Sequence, residues 1–261
     1  MAGNPFDNQK VMSNVKNIIL VGSGKGGVGK STVSCNLAVA LKKCGRNVGI
    51  MDADIYGPSI PRMMGALQQS PEIQENKKIT PITRYGVKMM SMGFLIEEDS
   101  AVVWRGPMLF KAIEQFFSDV EWGELDDLVI DLPPGTGDVA LTIAQKMKVQ
   151  GAVIVTTPQN MALIDAKKAV DMFNQVKVPL LGVVENMAPF TPAGASEPIT
   201  LFPKGDLDTY LTANNIKKLS SIPFNPSVGL NSEAGVPIVE GQPDSEQAQS
   251  FMQLAKNIAG F

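Results

Sequence analysis

Residues 24–32 read Gly24-Lys25-Gly26-Gly27-Val28-Gly29-Lys30-Ser31-Thr32 and follow directly on the apolar run Asn17-Ile18-Ile19-Leu20-Val21. The spacing fits G-x-x-x-x-G-K-[ST], with one additional lysine at Lys25. Glycines at these positions let successive backbone N–H groups turn toward an anion without Cβ clashes. A helix starting at Lys30 aims its positive end at the same anion. Lys30 then reaches β- and γ-phosphates, and the Ser31 hydroxyl is placed for Mg²⁺. The bland alternative is a glycine-rich turn that holds nothing. The order strand, loop, helix speaks against it.

Two carboxylates stand where such a loop needs them. Asp52-Ala53-Asp54 follows the second apolar run, at the strand ends that line the crevice of an open parallel sheet. A carboxylate there orients a water for attack on phosphorus or holds a water on Mg²⁺; it equally serves as a helix cap. The phosphate loop upstream tips this balance toward chemistry for the Asp52-Ala53-Asp54 pair. Leu128-Val129-Ile130-Asp131 ends in an aspartate suited to the Mg²⁺ shell beside Ser31. The loop Leu132-Pro133-Pro134-Gly135-Thr136-Gly137-Asp138 that follows could sense a γ-phosphate through its N–H groups, with Asp138 read as a helix cap. Asn186, read as ending the strand Leu180–Val184, could bond an adenine edge or simply make a turn.

Composition narrows the chemistry further. The 261 residues carry no histidine and two cysteines, so histidine bases, histidine metal ligands and a disulfide framework are excluded. Cys35 and Cys44 are nine residues apart on one predicted helix, about 180° around it, and cannot converge on one metal. A net charge of −3 gives no electrostatic case for nucleic acid. No apolar run approaches ~18 residues, and the opening MAGNPFDNQK lacks the apolar core of a signal peptide, so the expected location is the cytoplasm. The final helix has an apolar stripe, Ala248, Phe251, Met252, Leu254, Ala255, Ile258 and Ala259, but a single lysine, Lys256, which favours docking on the core over a membrane. Met89, Met90 and Met92 read as core.

Strand-like runs at 18–21, 48–51, 87–92, 128–130, 152–156, 180–184 and 219–222 alternate with helical patterns at 30–43, 108–117, 139–147, 163–176, 207–214 and 245–258. Near-continuous Val/Ile runs imply strands buried on both faces. The expected fold is α/β: a three-layer P-loop NTPase with a mostly parallel sheet covered by helices on both faces. Residues 1–15 read as a flexible tail and 16–261 as one domain. The polar stretch 66–84 reads as an insertion loop or short hairpin, and 188–206 as irregular.

The two-lysine loop resembles the deviant phosphate loop of the MinD/ParA/Mrp class. Three longer stretches resemble the Mrp/ApbC iron–sulfur cluster carrier ATPases: Asp52-Ala-Asp-Ile-Tyr-Gly-Pro-Ser-Ile-Pro61, Trp104-Arg-Gly-Pro-Met108 and Asp131-Leu-Pro-Pro-Gly-Thr-Gly-Asp138. Val183-Val-Glu-Asn-Met187 also fits. The similarity covers nearly all of 16–260, without the small N-terminal domain that many bacterial members carry. The resemblance implies ATP/ADP and Mg²⁺ as ligands, with Ser31, Asp54 and Asp131 on the metal, and a nucleotide-sandwich homodimer. It implies that Lys25 reaches the partner copy's phosphates, that Asp54 positions the attacking water, and that Asn186 and the segment after Pro223 lie near adenine. Trp104-Arg105 is left with no derived role beyond local packing.

One departure stands out. The family's Cys-x-x-Cys, which would hold a 4Fe–4S cluster between two copies, is here Thr191-Pro192-Ala193-Gly194. Iron–sulfur clusters require thiolates, so a cluster on this chain rests on the resemblance alone. The expected function is an ATPase in iron–sulfur cluster assembly or transfer, with scaffold or apo-client proteins as partners and neither nucleic acid nor membrane. The alternative is a cluster-free positioning or partition switch of the MinD/ParA kind. The long Asp-Ile-Tyr-Gly-Pro and Trp-Arg-Gly-Pro-Met matches favour the first, and the Thr-Pro-Ala-Gly substitution favours the second. A metabolic kinase would need an acceptor site that the sequence does not display.

Overall fold

The computed structural model describes residue 9 and residues 11–55, 57–95, 106–135, 137–192 and 194–260. Residues 1–8 and 10 of the expected tail, Tyr56, Trp104, Arg105, Thr136 and Ala193 lie outside the described residues, as does the side chain of Asp138.

Alternation of strands and helices dominates the chain. In order, the elements are β1 (Val15–Gly22), α1 (Lys30–Lys43), β2 (Val48–Asp52), α2 (Ile60–Met63), β3 (Glu72–Ile73), β4 (Ile79–Thr80), β5 (Ile82–Arg84), β6 (Val87–Ser91), α3 (Gly106–Ser118), β7 (Leu125–Asp131), α4 (Asp138–Lys146), β8 (Gly151–Thr156), α5 (Asn160–Gln175), β9 (Leu180–Ala188), α6 (Leu207–Ala213), β10 (Lys218–Pro223), α7 (Pro226–Glu233), α8 (Ile238–Gly241) and α9 (Glu246–Ala259). Eight strands form one sheet in the order β10-β9-β8-β1-β7-β2-β6-β5. Every neighbour pair is parallel except the edge pair β5–β6.

The two-residue period of strands divides the apolar residues between two cores. On β1, Ile18 and Leu20 face one core while Ile19 and Val21 face the other; on β8, Ala152 and Ile154 oppose Val153 and Val155. The first core is closed by α3, α4, α5 and α6 through Phe116, Ile143, Phe173 and Leu211. The second is closed by α1, α2, α8 and α9 through Leu37, Ile60, Val239 and Phe251. Phe251, Leu254 and Ala255 of α9 are fully buried against this core, which settles the docking of the final helix. Met89, Met90 and Met92 are fully buried, as expected of core residues.

The structure corrects several expected boundaries. Asn186 does not follow a strand ending at 184; β9 continues to Ala188, because Asn186 pairs in register with Ile222 of β10. The 66–84 stretch contains the small β3–β4 hairpin, but its end, β5, joins the main sheet antiparallel to β6. The turn there is Tyr85-Gly86, with φ of 51° and 73°, the paired left-handed conformation of a tight hairpin. Helices α2, α7 and α8 were not expected. They are short, and α7 carries no strong apolar stripe to betray it.

Candidate functional site

The glycine loop occupies the carboxyl end of β1. The Ser23 hydroxyl donates to the Lys25 carbonyl at 2.9 Å and folds the loop back on itself. Gly29, at φ 83°, caps α1, which has no side-chain cap bond and no acidic residue in its first turn. The helix therefore keeps its N-terminal N–H groups and positive end for an external anion. Each glycine has its own reason. A Cβ on Gly24 would stand 2.0 Å from the Asp165 carbonyl oxygen, whereas Cβ atoms on Gly26 or Gly27 would meet nothing within 4 Å. Gly24 thus packs the loop against α5, and Gly26 and Gly27 border an open cleft. That cleft, of about 200 Å³, is lined by Lys25, Gly26, Lys30, Ser31, Asp54 and Pro134 among others.

Sheet order brings the carboxylates to this cleft. β7 lies between β1 and β2, and Asp131 is in register with both Val21 and Asp52. Asp131 is fully buried and accepts from Lys30 Nζ at 2.8 Å, Ser31 Oγ at 2.6 Å and Ser34 Oγ at 2.6 Å. Lys30 Nζ also lies 3.9 Å from Asp54 Oδ2. A buried carboxylate and a buried ammonium are each costly alone and tolerable only when paired and hydrogen-bonded, as they are here. Lys30, Ser31, Asp54 and Asp131, singled out from sequence, are brought together.

Of two further residues in this cluster, one was noted from sequence only as part of Asp52-Ala53-Asp54 and one was missed. Asp52, fully buried, accepts from the Asp54 N–H at 3.1 Å, the Ile60 N–H at 3.2 Å and Ser91 Oγ at 2.9 Å. It clamps the turn that carries Asp54. Burial, and next the neighbouring Asp131 charge, push its carboxyl up to about 7. Ser34 is the other. Its position three residues after Ser31, on the same helix face, is the signal that could have found it.

Ser31, Asp54 and Asp131 offer only hard oxygen donors. That suits Mg²⁺, which takes a few protein oxygens and fills its octahedron with water and phosphate. Among the described residues no three Asp, Glu, Cys or His side chains form a cage for a metal on their own. Any cation here would share its shell with a bound anion.

On the other side of the loop, Asn186 Nδ2 donates to the Val28 carbonyl at 2.9 Å. Pro223 ends β10, its carbonyl accepting from Gln247 Nε2 at 3.3 Å, and the Phe190 and Phe224 rings pack with centroids 5.5 Å apart. Of these, Asn186 touches the phosphate loop, and Phe224 is tied to the end of β9 by its N–H on the Ala188 carbonyl at 3.0 Å. A Cβ on Gly29 would stand 2.2 Å from Asn186 Nδ2. Gly29→Ala is therefore expected to lower stability by roughly 1–2 kcal/mol for the left-handed backbone alone, with the clash added. Thermal denaturation of Gly29→Ala, Asn186→Ala and the double variant checks this: the double variant should lose less than the sum, because the clash is gone.

Cys35 is 1% exposed in the core under α1, and burial, with the nearby Asp131 and Asp52 charges, pushes its thiol well above its ordinary range. Cys44, half-buried, caps the far end of that helix.

A parallel sheet with this cradle, a buried lysine–aspartate pair at its floor and a second lysine at its lip defines a P-loop NTPase of the two-lysine kind. Comparison with known proteins agrees. The sequence profile of the ParA group described as the NUBPL iron-transfer P-loop NTPase matches residues 14–259. The iron–sulfur cluster carrier protein of Aquifex aeolicus is 49% identical over 256 residues, spanning 98% of this chain and 70% of that one. Among solved structures, a nucleotide-binding protein of Archaeoglobus fulgidus in complex with ADP superposes with a TM-score of 0.77 at 38% identity, covering 91% of this chain and 93% of that one. The cell division ATPase MinD of Pyrococcus furiosus shares the fold, with a TM-score of 0.68 at 23% identity over 94% of this chain and 99% of its own. The chain belongs to the NUBPL/ParA family of iron-transfer P-loop NTPases.

Proposed function

We propose that this chain is a slow, Mg²⁺-dependent ATPase that works as a nucleotide-sandwich homodimer in the assembly or transfer of iron–sulfur clusters in the cytoplasm. The observation that carries the ATPase reading is the Lys30–Asp131–Ser31 cluster at the floor of the glycine cleft, with Asp54 beside it. Membership of the iron-transfer family carries the cluster reading. Residues 16–261 act as one domain, which the single sheet running from β1 to β10 supports.

The residues divide the work as follows. Backbone N–H groups from Gly26 to Thr32 cradle the phosphates. Lys30 turns from Asp131 to the β- and γ-phosphates. The buried carboxylate is then short of one positive charge; Ser31, Asp131 and Asp54 would hold Mg²⁺, which would restore that charge and neutralise charge on the phosphates. Nucleotide and metal binding are thereby coupled. Asp54 orients the attacking water, and the 52–60 turn clamped by Asp52 fixes its position. Asn186 and the segment after Pro223 contact adenine.

The second copy completes the site. Lys25 is half-buried and makes no ion pair among the described residues, unlike Lys30. It reaches the partner copy's phosphates and neutralises charge developing in the transition state. Next to it, α5 presents Met161 and Ile164, 69% and 51% exposed, one turn before and directly before the Asp165 backbone that abuts Gly24. At the start of the same helix, Thr157 Oγ1 and Gln159 Oε1 are buried without a hydrogen-bond partner. A lone cation and two bare apolar side chains support this face as the dimer surface. Met161→Asp/Ile164→Asp should weaken ATP-dependent dimerisation about tenfold or more, since burying each apolar side chain contributes roughly 1.5–3 kcal/mol. The monomer's thermal stability should not move. Sedimentation with and without ATP reads the first, calorimetry the second.

A membrane- or DNA-positioning switch is the competing reading. The buried apolar stripe of α9, which leaves that helix no apolar face for a membrane surface, supports the first reading over a membrane-bound switch. Two assays decide: cluster transfer from a loaded scaffold to an apo-client with and without ATP, and co-sedimentation with anionic vesicles and with DNA. ATP-dependent transfer without co-sedimentation is expected. ATP-dependent binding to vesicles or DNA, with transfer unaffected, would sink the proposed function.

A further inference from the structure

The family's cargo is an iron–sulfur cluster, and the side chains of this protein do not fit it. A cluster of this type asks for four thiolates. Two copies together hold four cysteines, but Cys35 and Cys44 of each copy lie nine residues apart on α1, about 13 Å along its axis and on opposite sides. Cys35 is sealed in the core between helix and sheet. Cys44 lies at the far end of α1, roughly 20 Å from the phosphate loop, away from the face that a nucleotide-bridged pair would share. No histidine exists to substitute.

The segment that stands in place of the family's Cys-x-x-Cys is a hairpin without a thiolate. Phe190 and Ile199 bond reciprocally, the Phe190 N–H to the Ile199 carbonyl at 3.1 Å and the Ile199 N–H to the Phe190 carbonyl at 2.7 Å. The Ala195 N–H closes an inner turn on the Pro192 carbonyl at 3.0 Å. Thr191 and residues 194–200 are exposed, and none of them carries a sulfur or nitrogen ligand on its side chain; they offer only the hydroxyls of Thr191, Ser196 and Thr200 and the Glu197 carboxylate. Yet both ends of the segment remain tied to the nucleotide machinery. Its start follows Asn186, bonded to the Val28 carbonyl of the phosphate loop. Its end is fixed to the head of α5, with the Gly205 N–H on the Pro158 carbonyl at 3.0 Å and the Asp206 N–H on Asn160 Oδ1 at 2.8 Å.

We propose that this protein takes part in iron–sulfur transfer without ligating the cluster itself, so that every thiolate on the cargo comes from a cysteine-bearing protein it works with. The inference rests on the proposed role in iron–sulfur transfer, while its central statement concerns only this chain's own ligands. In this arrangement the chain supplies the nucleotide-driven movement, and the 190–199 hairpin moves with the phosphate loop and α5 but binds no iron.

The test is anaerobic reconstitution of the full chain with ferrous iron and sulfide, iron counted per dimer and the visible spectrum recorded, with a four-cysteine ferredoxin treated in parallel to validate the procedure. ATP turnover is measured on the same samples. Wild type should retain no stoichiometric iron and show no charge-transfer band. Thr191→Cys/Gly194→Cys, which returns thiolates to the hairpin, should gain about four irons per dimer. Stoichiometric iron on wild type would overturn the proposal, whether Cys35→Ser/Cys44→Ser removes it or not. Absence of iron together with absence of ATP turnover would remove the ATPase reading and leave this inference standing.

Discussion

Lys30→Ala is expected to abolish ATP turnover and to weaken nucleotide binding by about 100-fold or more, the scale lost when one well-placed phosphate or oxyanion donor is removed. The same change strips Asp131 of its cation. Asp131 is fully buried, and Ser31 and Ser34 alone would remain as donors to its two oxygens. Breaking a buried pair in this way costs about 3–5 kcal/mol, so loss of activity in Lys30→Ala alone could reflect loss of fold. Lys30→Ala/Asp131→Asn separates the two effects. The second substitution removes the stranded charge and should restore most of the thermal stability while turnover stays absent. Measured by calorimetry and by equilibrium binding of an ATP analogue, a stable double variant that binds nucleotide about 100-fold more weakly than Asp131→Asn alone assigns the phosphate contact to Lys30. Unchanged turnover in either variant would remove the phosphate-loop assignment.

Lys25→Ala is expected to behave differently. Its side chain takes part in no buried pair, so the fold should be indifferent. Nucleotide affinity of the single copy should be largely spared, because Lys30 and the loop N–H groups supply it. Hydrolysis should fall about 10³-fold or more, the scale set by cations supplied across an interface in phosphoryl transfer, and ATP-dependent dimerisation should weaken with it. Equilibrium binding of a fluorescent ATP analogue, sedimentation and phosphate release together give this pattern. Wild-type dimerisation and turnover in Lys25→Ala would show that the lysine does not act between copies.

The phosphate loop and the start of the helix behind it were legible in the sequence, because the loop motif is local. Helix α1 runs from Lys30 to Lys43 as expected, since Gly29 and Gly45, at φ 83° and 85°, mark its ends with conformations that suit glycine. The parallel sheet was legible in its Val/Ile runs. What escaped was what depends on distant partners. Ser34 gains its function from Asp131, 97 residues away, and Asp52 from Ser91, 39 residues away. The true end of β9 depends on pairing with β10, which no local pattern around Asn186 reveals. α7 begins at Asn225-Pro226, where Asn225 accepts from the Ser227 N–H at 2.8 Å; this capping signal was present but had no apolar stripe behind it.

The most direct test of the account is a mixing experiment with two inactive variants, Lys25→Ala and Asp54→Asn. If Lys25 serves the partner's phosphates while Asp54 serves its own, one site in each mixed dimer has both groups intact. Equimolar mixing should then restore about a quarter of wild-type ATP turnover, since half the dimers are mixed and each holds one working site of two. Turnover that stays at the level of the separate variants, with mixed dimers shown to form, would contradict the account, because both residues would then act within one copy.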